Sequence, residues 1–153
     1  KINPWAATDI FYSDDESQGP PGYKWPAYQA DEYATRGGYG GTDPQLVMGA
    51  LLAIPPWVTL ESLELTPAGA KLFYAMQNFG VYFTEDAATD TWDIIVETGV
   101  MEEFSNTYGF TMSSEPWLSD VNKLMQVLQV VKNNSPQTIG GGGTPIAPMA
   151  PPI

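Results

Sequence analysis

The longest apolar run of the chain, residues 46–54 in "LVMGALLAIPPWV", places the tightest limit on the fold. The run stops at Pro55 and Pro56. A short apolar run that ends at prolines favours a buried β-strand over a helix. If the sequence is part of a longer protein, we expect this strand to pair with strands outside it and to leave an open edge.

The segment "LTPAGAKLFYAMQNFG" carries the clearest helix signals. Thr66 suits the N-cap, Pro67 suits the first helical position, and Gly80 suits the left-handed stop. The chain then continues as "VYFT", crosses "EDAATD" and returns as "TWDIIVE". This alternation predicts a β-hairpin directly after the helix.

Two further helices are predicted in the second half of the chain. In "VMEEFSNTYG" apolar residues recur on one side and Gly109 ends the helix. In "SSEPWLSDVNKLMQVL" Pro116 suits the first turn, and a short β run follows at residues 128–131. Together these elements predict a β-rich α+β fold, with a sandwich or jelly-roll-like sheet core and two or three packed helices.

The composition predicts one globular domain. At 153 residues, with 43% hydrophobic and 16% charged residues, the chain can bury one core. We assign this domain to residues 1–139 and leave open that it is part of a larger one. Residues 140–153 are rich in Gly and Pro, and we expect them to form an ordered tail that lies against a surface.

The charge balance and the missing residue types exclude several functions. With 18 acidic and 6 basic residues the chain repels phosphate groups, so nucleic acid is not an expected partner. No stretch is long and apolar enough to insert into a membrane. Because the chain has no Cys and no His, thiol chemistry and Ser-His-Asp mechanisms within it are excluded.

The stretch "YKWPAYQADEYATRGGYGGTDP", residues 23–44, is the candidate ligand-binding segment. Aromatic rings can stack on sugar rings while carboxylates and Tyr hydroxyls bind the sugar hydroxyls. The alternative is an ordered loop in which Trp25 is an anchor and Arg36 forms an internal ion pair; Tyr33 and Tyr39 are expected to be exposed. The predicted ligand-binding residues are Trp25, Tyr28, Asp31, Glu32, Tyr33, Arg36, Tyr39 and Asp43.

A calcium site is a second hypothesis, located in "EDAATDTWD". Clustered carboxylates on a loop are typical ligands of hard cations, and Asp86, Asp90 and Asp93 are the candidates. The segment has no glycine at the bend, so a solvated turn is the alternative.

Several segments together resemble a known group of proteins: "YKWPAYQADEYA", "YGGTDPQLVMGALLAIPP", "TPAGAKLFYAMQNFGVYFTEDAATDTWDI" and "VVKNNSPQTIGGGGTPIAPMAPPI". From about residue 23 onward the chain is similar to the C-terminal part of a family of longer, secreted, mostly uncharacterised bacterial proteins. The resemblance implies export and a preceding N-terminal part that shares the core. It implies no catalytic residue.

These observations lead to two functional hypotheses. The first is a secreted, extracellular carbohydrate-interacting protein, with polysaccharide degradation left open. The alternative is a structural subunit of an extracellular fibre or surface assembly that is completed by strand or tail exchange. The partners would be a glycan, copies of the chain itself, or the N-terminal part of a longer chain. Whether the protein is an enzyme is not decided by the sequence.

Overall fold

The computed structural model describes residues 7–35, 37–87 and 92–142, and the backbone of residues 2–3. Within these ranges the chain is an α+β fold with three α-helices and a three-stranded antiparallel sheet. The elements in chain order are β1 (Ile2–Asn3), β2 (Leu51–Ala53), α1 (Pro67–Asn78), β3 (Val81–Tyr82), β4 (Asp93–Ile94), α2 (Val100–Tyr108), α3 (Trp117–Val127) and β5 (Gln129–Val130).

The α+β class and the three helices are confirmed, but the expected excess of strand is wrong. Helix accounts for about 31% and strand for about 14% of the structure. One reason lies in the apolar run, of which only β2 is extended. Gly49 turns the backbone just before β2 with a positive φ of 81°, which glycine adopts at little cost. The sandwich or jelly-roll core stays a prediction.

The helix ends follow the local signals in the sequence. At the start of α1 the Thr66 hydroxyl accepts a hydrogen bond from the Gly69 N–H at 3.2 Å, and Pro67 is the first helical residue. Gly80, with φ of 71°, separates α1 from β3. Gly109 caps α2 in the left-handed conformation. All three helices therefore lie where their capping residues and apolar spacing predict them.

β2 is the central strand of the three-stranded sheet, with β3 on one side and β5 on the other. Leu52 pairs with Val81 and with Val130. The predicted buried strand is thus present over a shorter span. Both neighbours of β2 come from this chain, so in the described structure the edges of the sheet are β3 and β5 rather than β2.

The predicted hairpin between β3 and β4 is wrong. β3 pairs with β2, whereas β4 pairs with β1 in a separate two-stranded sheet. The turn at Gly80 explains the difference, because it folds β3 back against β2. A Cβ at this position would lie 2.6 Å from the Leu52 carbonyl oxygen, so only glycine allows the approach.

Three apolar clusters form the described core. One joins Ile10 and Tyr39 to Leu52 and Phe83 on one face of the sheet. A second packs Phe73 and Met76 of α1 against Leu124 of α3. The third surrounds Phe104 and Trp117, whose rings meet edge to face at 4.8 Å.

A buried carboxylate joins α1 to α3. Asp120 of α3 accepts hydrogen bonds from the Thr66 backbone N–H, at 3.2 Å to Oδ2, and from the Thr66 hydroxyl. It is almost fully buried. Because a backbone N–H at a helix start has no partner within the helix, the carboxylate satisfies a group that burial would otherwise leave unpaired.

Candidate functional site

The loop that precedes β2 lies against the sheet through backbone hydrogen bonds. The Lys24 N–H donates to the Met48 carbonyl at 2.8 Å, and the Met48 N–H donates to the Gly22 carbonyl at 3.0 Å. The Gly49 N–H in turn donates to the Phe83 carbonyl at 2.7 Å. These bonds bring the loop at residues 26–31 beside the residues that follow β3.

A cleft of about 410 Å³ lies between these two segments. Residues 26–31 form one wall, and Thr84 and Glu85 lie on the other, with Tyr82 at its end of the sheet. The Tyr28 side chain is 83% exposed. The cleft therefore combines an accessible aromatic ring with the polar side chains of Gln29, Asp31 and Glu85.

Three carboxylates converge at the cleft. Asp31, Glu85 and Asp86 each place an oxygen within 4.8 Å of the others. Two tyrosines hold this group in place. The Tyr39 hydroxyl donates to Asp31, and the Tyr33 hydroxyl donates to Asp86 at 2.5 Å.

The electrostatics of the site follow from this crowding. Partial burial, together with the nearby Asp31 carboxylate, raises the pKa of Glu85 above its ordinary value. Burial and the hydrogen bond to Asp31 raise the pKa of Tyr39, and burial and the bond to Asp86 raise that of Tyr33. Such a group can retain a proton or hold a hard cation, and it repels anions.

The cleft contains two of the predicted ligand-binding residues, Tyr28 and Asp31. Tyr33 is exposed beside it, as expected. The expectation that Tyr39 is exposed is wrong, because its side chain is only 3% exposed and packs with Ile10 and Phe83 in the core. Its hydroxyl nevertheless contributes to the site by fixing Asp31.

Three more of the predicted ligand-binding residues do not line the cleft, namely Trp25, Glu32 and Asp43. Trp25 is half-buried, as an anchoring residue would be, and Glu32 is exposed. Asp43 is exposed and accepts a hydrogen bond from the Gln45 N–H at 2.9 Å, which gives it a role in a turn. Arg36 lies outside the described residues.

Two of the three residues predicted to bind calcium, Asp86 and Asp93, lie in the described structure. Asp86 belongs to the carboxylate group above, Asp90 lies outside the described residues, and Asp93 lies in β4 beside a different cavity of about 530 Å³. The carboxylates that do join Asp86 are Glu85, its neighbour in sequence, and Asp31. The sequence indicates that Glu85 and Asp86 lie close together, because they are adjacent. It contains no indication that Asp31 lies beside them.

One polar atom at the cleft has no partner. The Thr84 hydroxyl oxygen is buried and forms no hydrogen bond within the described ranges. Buried hydroxyls are normally hydrogen-bonded. Because the oxygen itself is buried, it is an unpaired group behind the surface of the cleft wall next to Glu85.

The functional argument rests on the geometry of the site, because comparisons with known proteins identify no relative. In the parts of the chain that the structure describes, no helix combines the length and the apolar character that a membrane span needs. Protein-family models, curated proteins and solved structures give no match to this chain.

Proposed function

We propose that the protein binds a carbohydrate in the cleft formed by residues 26–31, Thr84 and Glu85. The observation that carries this proposal is the exposed Tyr28 ring beside the side chains of Gln29, Asp31 and Glu85. The apolar face of a sugar ring packs on an aromatic ring, and carboxylates and amides bind its hydroxyl groups. The cleft offers both kinds of contact within one small volume.

The charge of the cleft narrows the ligand to a neutral sugar. Asp31, Glu85 and Asp86 give this surface a negative potential, and the chain carries a net charge of −12. A polysaccharide with carboxylate or sulfate groups would be repelled at low ionic strength. We therefore expect hexose or pentose units without acidic substituents.

Calorimetry and a glycan array test the proposal with two matched variants. Tyr28→Ala removes the exposed ring from the cleft, and we expect binding to weaken about tenfold, which corresponds to about 1.4 kcal/mol. Tyr74→Ala is the control, because Tyr74 is also an exposed tyrosine, at 51%, but lies on α1 and does not line the cleft. Equal affinities for the two variants, or no binding of neutral glycans by the native chain, contradict the proposal.

Cleavage of the bound sugar is the finer part of the proposal. The carboxyl groups of retaining glycosidases lie about 5–5.5 Å apart, and the oxygens of Asp31 and Glu85 lie within 4.8 Å. The raised pKa of Glu85 suits a general acid. Release of reducing sugar that is lost in Glu85→Gln and retained in Glu32→Gln supports an enzyme, whereas binding without release leaves a binding protein.

The cellular location and the larger architecture are further proposals. The resemblance to longer secreted bacterial proteins supports export and an N-terminal part that precedes this sequence. Strands from that part would extend the sheet at β3 or β5 into the sandwich or jelly-roll core. Mass spectrometry of the culture medium and the cell pellet tests both points, because it reports the location and the intact mass of the native chain.

A subunit of an extracellular fibre or surface assembly is the second candidate function. Strand exchange has little support, since β2 has a neighbour on each side within this chain. Tail exchange would use the exposed apolar side chains near Gly142, among them Trp57 and Ile139, as the surface that receives the tail of another copy. If this function holds, deletion of residues 140–153 lowers the mass measured by light scattering. An unchanged monomer contradicts it.

A further inference from the structure

A third cavity, here called the apolar groove, lies on the face of the sheet opposite the apolar cluster of Ile10, Tyr39 and Phe83. Its volume is about 710 Å³. Trp57, Phe79 and Ile139 stand at its rim as exposed apolar side chains, and Trp57 is 72% exposed. None of the described residues that line it carries a charge, although the chain as a whole is strongly acidic.

The strand register explains why this face is apolar. Alternate residues of a strand point to opposite faces. Leu52 points to the core, so Leu51 and Ala53 point to the groove. Tyr82 and Gln129 pair with these two residues and therefore share their face. Leu51 is almost fully buried, whereas Ala53 and Tyr82 are partly exposed, so the described residues cover this face only in part.

The sequence that follows the groove matches it in chemistry. Gly142 lines the groove, and residues 143–153 continue from it as "GTPIAPMAPPI". This segment has no charged residue, and prolines recur at positions 145, 148 and 151. A spacing of three residues is the repeat of the polyproline II helix, so these prolines would share one face.

We infer that residues 143–153 dock in the apolar groove of the same molecule as a polyproline II segment. Proline-rich segments in this conformation bind grooves lined by aromatic side chains, as Trp57, Phe79 and Tyr82 line this one. At about 3.1 Å per residue the segment spans about 34 Å, enough to cross a three-stranded sheet. Pairing as an added β-strand is disfavoured, because proline has no N–H to donate.

The same molecule is the favoured source of the segment because of where Gly142 lies. A segment tethered at the groove has an effective concentration of the order of millimolar. A second copy of the chain, or a sheet from a longer form of the protein, would have to displace it. The groove is therefore an internal docking site rather than a free surface.

Methyl NMR of the full-length chain tests this inference. Methionine methyl groups are labelled with ¹³C, and the Met149 signal is identified by its loss in Met149→Leu. We expect this signal upfield of its position in the free peptide GTPIAPMAPPI, because aromatic ring currents shift methyl groups that pack on ring faces. In Trp57→Ala the signal should move to the free-peptide position, and in the control Tyr74→Ala it should not move.

Two results overturn the inference. A Met149 signal at the free-peptide position in the native chain shows that the segment does not dock. Contacts between the labelled Met149 methyl of one molecule and the rings of another, measured in a mixture of differently labelled chains, show that the segment is exchanged between copies. Neither result bears on the carbohydrate cleft, which Tyr28→Ala tests separately.

Discussion

The contact between Gly69 and Asp120 leads to a prediction that reverses a general rule. Replacing a glycine inside a helix by alanine normally stabilises the helix by about 1 kcal/mol. At Gly69, however, an added Cβ would lie 2.4 Å from Asp120 Oδ2 and 2.6 Å from its Cγ. Asp120 is buried and bonded to Thr66, so it has little room to move. We therefore expect Gly69→Ala to destabilise the protein.

The magnitude follows from two destabilising contributions and one stabilising contribution. Overpacking a core position costs about 1–3 kcal/mol, and weakening a hydrogen bond to a charged group costs about 1.5–3 kcal/mol. After the helix gain of about 1 kcal/mol is subtracted, the free energy of unfolding should fall by about 1.5–5 kcal/mol. Single domains are stable by about 5–15 kcal/mol, so a domain near the middle of this range still folds at 25 °C after such a loss.

Urea denaturation followed by circular dichroism and tryptophan fluorescence measures this change. The matching background is Asp120→Ala, in which the carboxylate is absent and the same Gly69→Ala change should stabilise α1. The effect of Gly69→Ala on the free energy of unfolding should therefore have opposite signs in the two backgrounds, and the double-mutant cycle gives the coupling energy between the two positions. If Gly69→Ala stabilises the native background, the contact between α1 and α3 is not as tight as described.

Two further predictions concern the cleft and the loop beside it. Because the pKa of Glu85 is raised in the folded state, the folded protein binds this proton more tightly than the unfolded chain does. Ionisation of Glu85 therefore opposes folding above its folded pKa. Well below its ordinary pKa of 4.5, Glu85 is protonated in both states and has no effect on stability. Glu85→Gln should accordingly raise the melting temperature at pH 7 but not at pH 3, and equal shifts at both pH values contradict the crowding of the three carboxylates. In denaturant titrations, Gly49→Ala should destabilise the protein more than the control Gly99→Ala. Both positions have positive φ, but only at Gly49 would a Cβ lie 2.1 Å from a backbone oxygen. Equal losses of stability would show that the loop can move away from β2.

The elements that the sequence predicts well depend on neighbouring residues. Thr66 and Pro67 mark the start of α1, Gly109 marks the end of α2, and Pro116 directly precedes α3, so the signals of the helices are local. The strands are predicted less well because pairing depends on distant residues. Gly80 marks the end of α1 correctly, but only the structure reveals that its turn directs β3 to β2.

The candidate site shows even more clearly that contacts between distant residues cannot be predicted from this sequence. Tyr33 and Asp86 are 53 residues apart in sequence and form a hydrogen bond in the structure. The sequence identifies both segments as candidates, one for sugar and one for calcium, and contains nothing that joins them. The burial of Tyr39 is equally hidden, since the glycines around it suggest exposure while its ring fills a gap in the core.

The central position of β2 has a consequence for the order in which the chain can fold during synthesis. Its partner β5 emerges about 80 residues later, which takes roughly 4–16 s at 5–20 residues per second on the ribosome. Throughout that interval one side of an apolar strand has no native neighbour. The nascent chain therefore has an unpaired, aggregation-prone strand edge until Val130 has left the exit tunnel. We expect a chaperone, or transient contacts with the helix that follows, to cover this edge in the meantime.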